Sequence, residues 1–190
     1  MNATRAQKRT AGFALGIFAL ALAIRLPFLG RAALWGDEIL FVQYMADVSL
    51  SPWRAFLDYW QNCLDFGQLP LAGVVLNVWM HAIGRFVPDV AQHVWALRLP
   101  GAVAGALAVA GIYLLGRRLL RPELNRAATA MAAVFYYPVY YSREVYCYPY
   151  VLLCAACAFL FFHKALFDRR AGRGTVVALA LWSVALGWTH

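Results

Sequence analysis

Apolar residues run nearly unbroken over 11–29, 98–116, 125–141, 145–166 and 175–190, separated by short polar stretches rich in Arg. Each run approaches the roughly 20 residues that a helix needs to cross a bilayer core. The pattern therefore predicts an all-α, multi-pass transmembrane helical bundle. Between the first two runs lies a longer mixed loop, about 30–97, with Asp37, Glu38, Asp47, Asp58 and Asp65 set among Trp35, Trp53, Tyr59 and Trp60. Such aromatics sit at headgroup level. Ile39, Leu40 and Val42 with Tyr44 and Met45 predict a short helix lying in the interface just after Asp37, and Pro52 breaks or restarts the run.

The stretch from Pro70 to Phe86 fits two readings. It is long enough for a short span, yet Asn77, His81 and Arg85 recur at four-residue steps and would form a polar stripe on one helical face. Charge separates the readings, because loops on the cytoplasmic side are enriched in Lys and Arg. With this helix in the outer interface, the inner side holds Arg5, Lys8, Arg9, then Arg117, Arg118, Arg121, Arg126, then Lys164, Arg169, Arg170 and Arg173, eleven of the 17 basic residues. With the segment spanning and the N-terminus still inside, only six remain there. Spanning with the N-terminus outside also gives eleven, but puts the basic tail on the wrong side of the first helix. The interfacial placement is preferred.

Composition agrees: 190 residues, 63% hydrophobic and 14% charged, with mean hydropathy +0.61, describe a membrane protein and not a soluble domain. The formal charge of +8 lies in clusters between apolar runs, which is how topology signals are arranged, and it makes no nucleic-acid face. The basic start and Ala21-Leu22-Ala23 also fit a cleaved secretory signal, although an uncleaved first helix anchors a multi-pass chain equally well. Gly101-x-x-x-Gly105, with Ala104, Ala108 and Gly111, predicts close helix packing. The sequence stops at Trp188-Thr189-His190 within an apolar run, and so reads as the N-terminal part of something longer.

Cysteine and histidine add little. Cys154-x-x-Cys157, with Cys147 before it, sits in an apolar helix where small side chains pack, and Cys63 stands alone in the loop. His81, His93, His163 and His190 lack metal-ligand spacing, which leaves a divalent ion an open requirement. Gly-rich phosphate loops are absent.

Three stretches carry a family resemblance. Trp35-Gly36-Asp37-Glu38 follows the first span. Leu97-Arg98-Leu99-Pro100 leads to Tyr113-Leu114-Leu115-Gly116-Arg117-Arg118. Tyr141-Ser142-Arg143-Glu144 is followed by Tyr146 and Tyr148. In this order they resemble the Asp-Glu signature, second span and Ser-x-Glu loop of the polyprenyl-phosphate-sugar glycosyltransferases of the GT-C fold, in the branch of protein O-mannosyltransferases and lipid A aminoarabinose transferases. The chain departs from that pattern at Gln68-Leu69-Pro70-Leu71, where the family often has His-Pro-Pro-Leu, and at Tyr146, where it often has Arg.

The resemblance implies an enzyme of the bacterial cytoplasmic membrane, working at its outer face. It would move a sugar, with inversion, from a polyprenyl-phosphate donor to a hydroxyl of a protein, lipid or glycan acceptor. Such transfer needs a base for the hydroxyl proton. Asp37 is the candidate, with Glu38 beside it and Glu144 orienting donor or acceptor. Arg98, Arg143 and Tyr146 are candidates for holding the donor, guanidinium being suited to phosphate oxygens. Each has a plainer reading. Asp37 would be an N-cap with Glu38 along the first turn of the helix, Glu144 a partner of Arg143 or Arg98 in a wet loop, and the arginines snorkelling side chains. The competing class is a transporter or channel subunit, which would place ionisable residues in mid-span, often in repeated halves. Here the acids fall at one face and no repeat is visible.

Overall fold

The computed structural model describes residues 2–45, 53–54, 57, 60–61, 71–168 and 171–189. Pro52, Cys63, Gln68-Leu69-Pro70 and His190 lie outside them. All regular structure among the described residues is helical: α1 (Asn2–Arg25), α2 (Gly36–Met45), α3 (Leu71–Ile83), a 3-10 turn (Val90–Gln92), α4 (Val94–Leu119), α5 (Pro122–Val134), α6 (Tyr136–Tyr141), α7 (Tyr148–Phe167) and α8 (Arg173–Gly187). Two of these, α4 and α7, are long and apolar enough to cross a membrane.

The central helix is α4, which packs against α1, α5 and α7, while α8 packs on α7. Its small residues make this possible. A Cβ on Gly111 would lie 3.3 Å from the Ala156 Cβ of α7, and one on Gly116 would collide with Asn125 of α5. Side-chain ties fix the helix directions. Arg117 near the end of α4 bonds Thr10 near the start of α1, Arg118 pairs with Asp168 just beyond α7, and Arg98 near the start of α4 reaches the turn after α1. One end of the bundle therefore gathers the last turns of α1 and α5 with the first turns of α4 and α7.

Two prolines shape that end. Pro100 sits inside α4 and, lacking an N–H, cannot donate to the Ala96 carbonyl four residues earlier. The indole Nε1 of Trp79 on α3 donates to that carbonyl instead, at 2.8 Å, and thereby docks α3 on α4. Pro138 acts similarly. A helix continued through it would press the proline ring against the Val134 carbonyl, and the chain breaks there: Phe135 is extended, so the expected single helix over 125–141 is α5 and α6. The break leaves the carbonyls that end α5 without helical partners. Arg25, fully buried at the end of α1, supplies them, with Nη1 donating to the Ala133 carbonyl at 3.2 Å and Nη2 to that of Ala132 at 3.4 Å. A cation at a helix C-terminus is favoured by the helix dipole, which accounts for a buried arginine held by carbonyls.

α3 covers 13 residues, about 20 Å of helix, short of a bilayer core of about 30 Å. The expected polar stripe does not form a wet face. Asn77 is buried against the core with Leu76 and Met80, and Arg85 lies past the end of the helix.

Candidate active site

The site is built around Glu38. The Trp35 carbonyl accepts the first helical bond of α2, from the Ile39 N–H, so Trp35 is the N-cap and Asp37 is not. Glu38 reaches back to the Trp35 N–H with Oε2 at 3.2 Å, half of a capping box. It does not lie along the helix; it turns inward and is wholly buried. Arg98 meets it as a fork, Nε to Oε1 at 3.0 Å and Nη2 to Oε2 at 2.6 Å, and the Val145 N–H donates to Oε1 at 2.7 Å. Four accepted bonds fill the positions a carboxylate offers. Arg98 is equally occupied. Its other donors go to the carbonyls of Leu29 (3.2 Å), Ala32 (2.9 Å) and Ala33 (3.1 Å), so all five of its N–H groups meet protein oxygens. The clamp joins α4, the turn after α1, the start of α2 and the loop before α7.

Asp37, one position earlier on α2, is exposed, and its charge acts on Glu144, Tyr146 and Tyr148. Glu144 is brought near by glycine. The loop of Ser142, Arg143 and Glu144 lies on the Gly101–Gly105 face of α4, where a Cβ on Gly101 would sit 3.0 Å from the Glu144 carbonyl and 3.2 Å from that of Ser142. A Cβ on Gly105 would collide with Ser142 and approach the Arg25 Nε at 3.1 Å. The packing stripe of α4 is thus the seat of this loop.

The Glu144 side chain is buried and its Oε2 has no partner. Desolvation pushes its pKa above the usual glutamate value; the nearby Tyr140 hydroxyl pulls it down, and the charges of Glu38 and Asp37 push it up again. Glu144 lines a cavity of about 600 Å³ together with Trp35, Tyr136, Tyr140, Arg98 and Arg143. Arg143 is half-buried and donates through Nη2 to the Pro27 carbonyl at 2.6 Å. Tyr146 packs between Phe41 of α2, at 5.9 Å, and Tyr148, at 5.1 Å between ring centroids.

One end of the bundle thus holds Asp37, Glu38, Glu144, Arg98, Arg143 and Tyr146, with the roles of Asp37 and Glu38 sharply different. An exposed carboxylate stands beside a fully engaged one, close to a carboxyl whose pKa burial raises. Such a set can accept and hold a hydroxyl proton. Among the described residues no three His, Cys, Asp or Glu side chains cluster to hold a metal ion. Sequence reasoning passed over Arg25, Trp79 and Tyr140. Tyr140 stands one helical turn before Glu144, and Arg25 closes an apolar run with no acid in reach, which are the signals that pointed to these two; Trp79 carries no such signal.

A family model for dolichyl-phosphate-mannose-protein mannosyltransferases matches residues 75–188. The match opens within α3 and runs past α8, taking in Arg98, Arg143, Glu144 and Tyr146 but beginning downstream of Asp37 and Glu38. No curated protein and no solved structure matches the chain. With well over half of its length matched, the chain belongs to the dolichyl-phosphate-mannose-protein mannosyltransferase family, of membrane glycosyltransferases of the GT-C kind.

Proposed function

We propose that the chain belongs to a transferase that moves a sugar from a polyprenyl-phosphate donor to an acceptor hydroxyl, with Asp37 as the base. The acceptor oxygen attacks the anomeric carbon, the bond from that carbon to the phosphate oxygen breaks, polyprenyl phosphate leaves, and Asp37 takes the hydroxyl proton. One observation carries this assignment: Glu38 has every acceptor position engaged within the protein, while Asp37 beside it is exposed. Glu38 is then a positioning residue. Arg98 is one too, since its donors are all taken, and the phosphate falls to Arg143 at the cavity wall. Glu144 and Tyr146 orient the sugar or the acceptor.

On this reading α1, α4, the α5–α6 pair, α7 and α8 cross a bacterial cytoplasmic membrane, α2 and α3 lie in its outer interface, and the acids face outward. An apolar groove of about 450 Å³ between α3, α4, α7 and α8, lined by Val75, Trp79, Leu107, Leu153 and Trp182, suits the isoprenoid chain of the donor.

The test is sugar transfer from a polyprenyl-phosphate donor by full-length wild-type and Asp37→Asn protein, with folding followed in parallel. The amide keeps the shape and loses the basicity, so turnover should fall about a hundredfold to ten-thousandfold in protein that melts normally. Near-normal turnover would return Asp37 to a surface role.

A further inference from the structure

At the other end of the bundle a pocket of about 680 Å³ opens between α1, α4 and α7. Arg117, Arg118 and Lys164 converge on it from two helices, and Ala11, Ala14, Leu114 and Leu160 make its apolar wall. The sequence explains the space, because α1 offers only short side chains there and the long stems of the cations stand around the gap. Among the described residues one carboxylate is paired at its rim, Asp168, bonded to Arg118 at 3.0 Å. Arg117 meets the neutral Thr10 hydroxyl, and Lys164 lies 4.9 Å from the Phe161 ring centre. The pocket keeps an excess of positive charge.

Depth along α4 fixes what reaches it. Arg117 lies nineteen positions after Arg98, about 28 Å of helix, close to the thickness of a bilayer core. With Arg98 at one membrane face, the pocket lies at headgroup level of the other. A topology signal needs no cavity; Arg117, Arg118 and Lys164 stand around one, over an apolar wall.

We propose that this pocket binds an anionic phospholipid, its headgroup phosphate held by Arg117 and Lys164 and an acyl chain lying against Ala11, Ala14, Leu114 and Leu160. Guanidinium matches phosphate oxygens as a fork and ammonium adds a point charge. The wall gives preference to a lipid over a free anion, and basic pockets between membrane helices are a known form of headgroup site.

The test is lipid retention by full-length protein in detergent, followed by native mass spectrometry with phosphatidylglycerol, phosphatidylcholine or inorganic phosphate. Phosphatidylglycerol should be retained in preference to phosphatidylcholine, and inorganic phosphate at equal concentration should not displace it. The double variant Arg117→Gln, Lys164→Gln should weaken retention about thirtyfold, about fivefold per cation. Arg126→Gln with Arg173→Gln removes the same charge outside the pocket and should leave retention unchanged. Ala14→Trp, which fills the apolar wall and keeps every charge, should also abolish retention, and it decides the matter where the double variant does not fold. Equal retention of phosphatidylcholine, displacement by inorganic phosphate, equal loss in the Arg126, Arg173 variant, or full retention by Ala14→Trp would each overturn the proposal.

Discussion

Replacing Glu38 by Gln is close to isosteric, and the geometry makes it severe. The carboxylate accepts four hydrogen bonds, two at each oxygen. The amide keeps one oxygen and turns its NH2 group on two donors: the Trp35 N–H and the Arg98 Nη2 in one orientation, or the Val145 N–H and the Arg98 Nε in the other. Two accepted bonds are lost, a donor faces donors, and the buried Arg98 loses its counter-charge. Breaking one side of a buried pair costs about 3–5 kcal/mol, a large part of a typical stability of about 5–15 kcal/mol. Asp37→Asn, on an exposed residue in the same helical turn, loses only a favourable dipole contact of about 0.3–1 kcal/mol. Reversible unfolding in mixed micelles measures both. The double variant Glu38→Gln, Arg98→Met should recover part of the loss, since the stranded charge is gone, but not all, since the Leu29, Ala32 and Ala33 carbonyls then lack a donor. A Glu38→Gln protein within about 1 kcal/mol of wild type, the upper end for an exposed pair, would refute the clamp.

Trp79→Phe leaves the Ala96 carbonyl without its donor and should cost about 1–3 kcal/mol; in a Pro100→Ala background the restored backbone N–H takes that carbonyl, so unfolding free energies should show a much smaller cost. Gly105→Ala should destabilise by about 1–3 kcal/mol through overpacking against Ser142 and Arg25, whereas Gly16→Ala, with open space around it, should be neutral or stabilising; equal melting temperatures for the two would refute the seating of the Ser142–Glu144 loop on α4. Because the folded-state pKa of Glu144 is raised, folding favours its protonated form. Its contribution to stability is therefore full below the ordinary glutamate value of 4.5 and is lost as pH rises through the higher folded value. Melting profiles across that window should slope downward in wild type and flatten in Glu144→Gln.

The helices were legible because burial in a bilayer and burial in a bundle ask for the same long apolar runs, and the small-residue spacing of Gly101 and Gly105 announced a close approach. What it approached was not legible: the spacing fits a helix, and the partner is the loop bearing Glu144. The acidic pair stands out in the sequence, but which of the two carboxylates the protein engages does not. The plainer reading put Asp37 at the cap and Glu38 along the first turn, whereas Trp35 is the N-cap and Glu38 turns inward. Which carboxylate turns inward depends on Arg98, sixty residues away, and on the Val145 N–H, and neither distance is written in local pattern. Arg98 was picked out for its affinity for phosphate, and the same fork geometry engages a carboxylate and three carbonyls.

Backbone carbonyls connect these observations. A membrane-embedded bundle has little water to satisfy them, so each place where a helix ends or is interrupted creates an acceptor that some side chain must meet. Pro100 frees the Ala96 carbonyl for Trp79, Pro138 ends α5 and frees carbonyls for Arg25, and the turn after α1 turns three carbonyls to Arg98. The helix breaks at this end of the bundle are therefore not lapses in packing. They are the acceptors by which three donors draw α3 and the α1–α2 turn onto α4 and α5 onto α1, and the carboxyls of Asp37 and Glu144 stand on segments held in place by those bonds. At this end of the bundle the irregular backbone is tied down by side-chain donors.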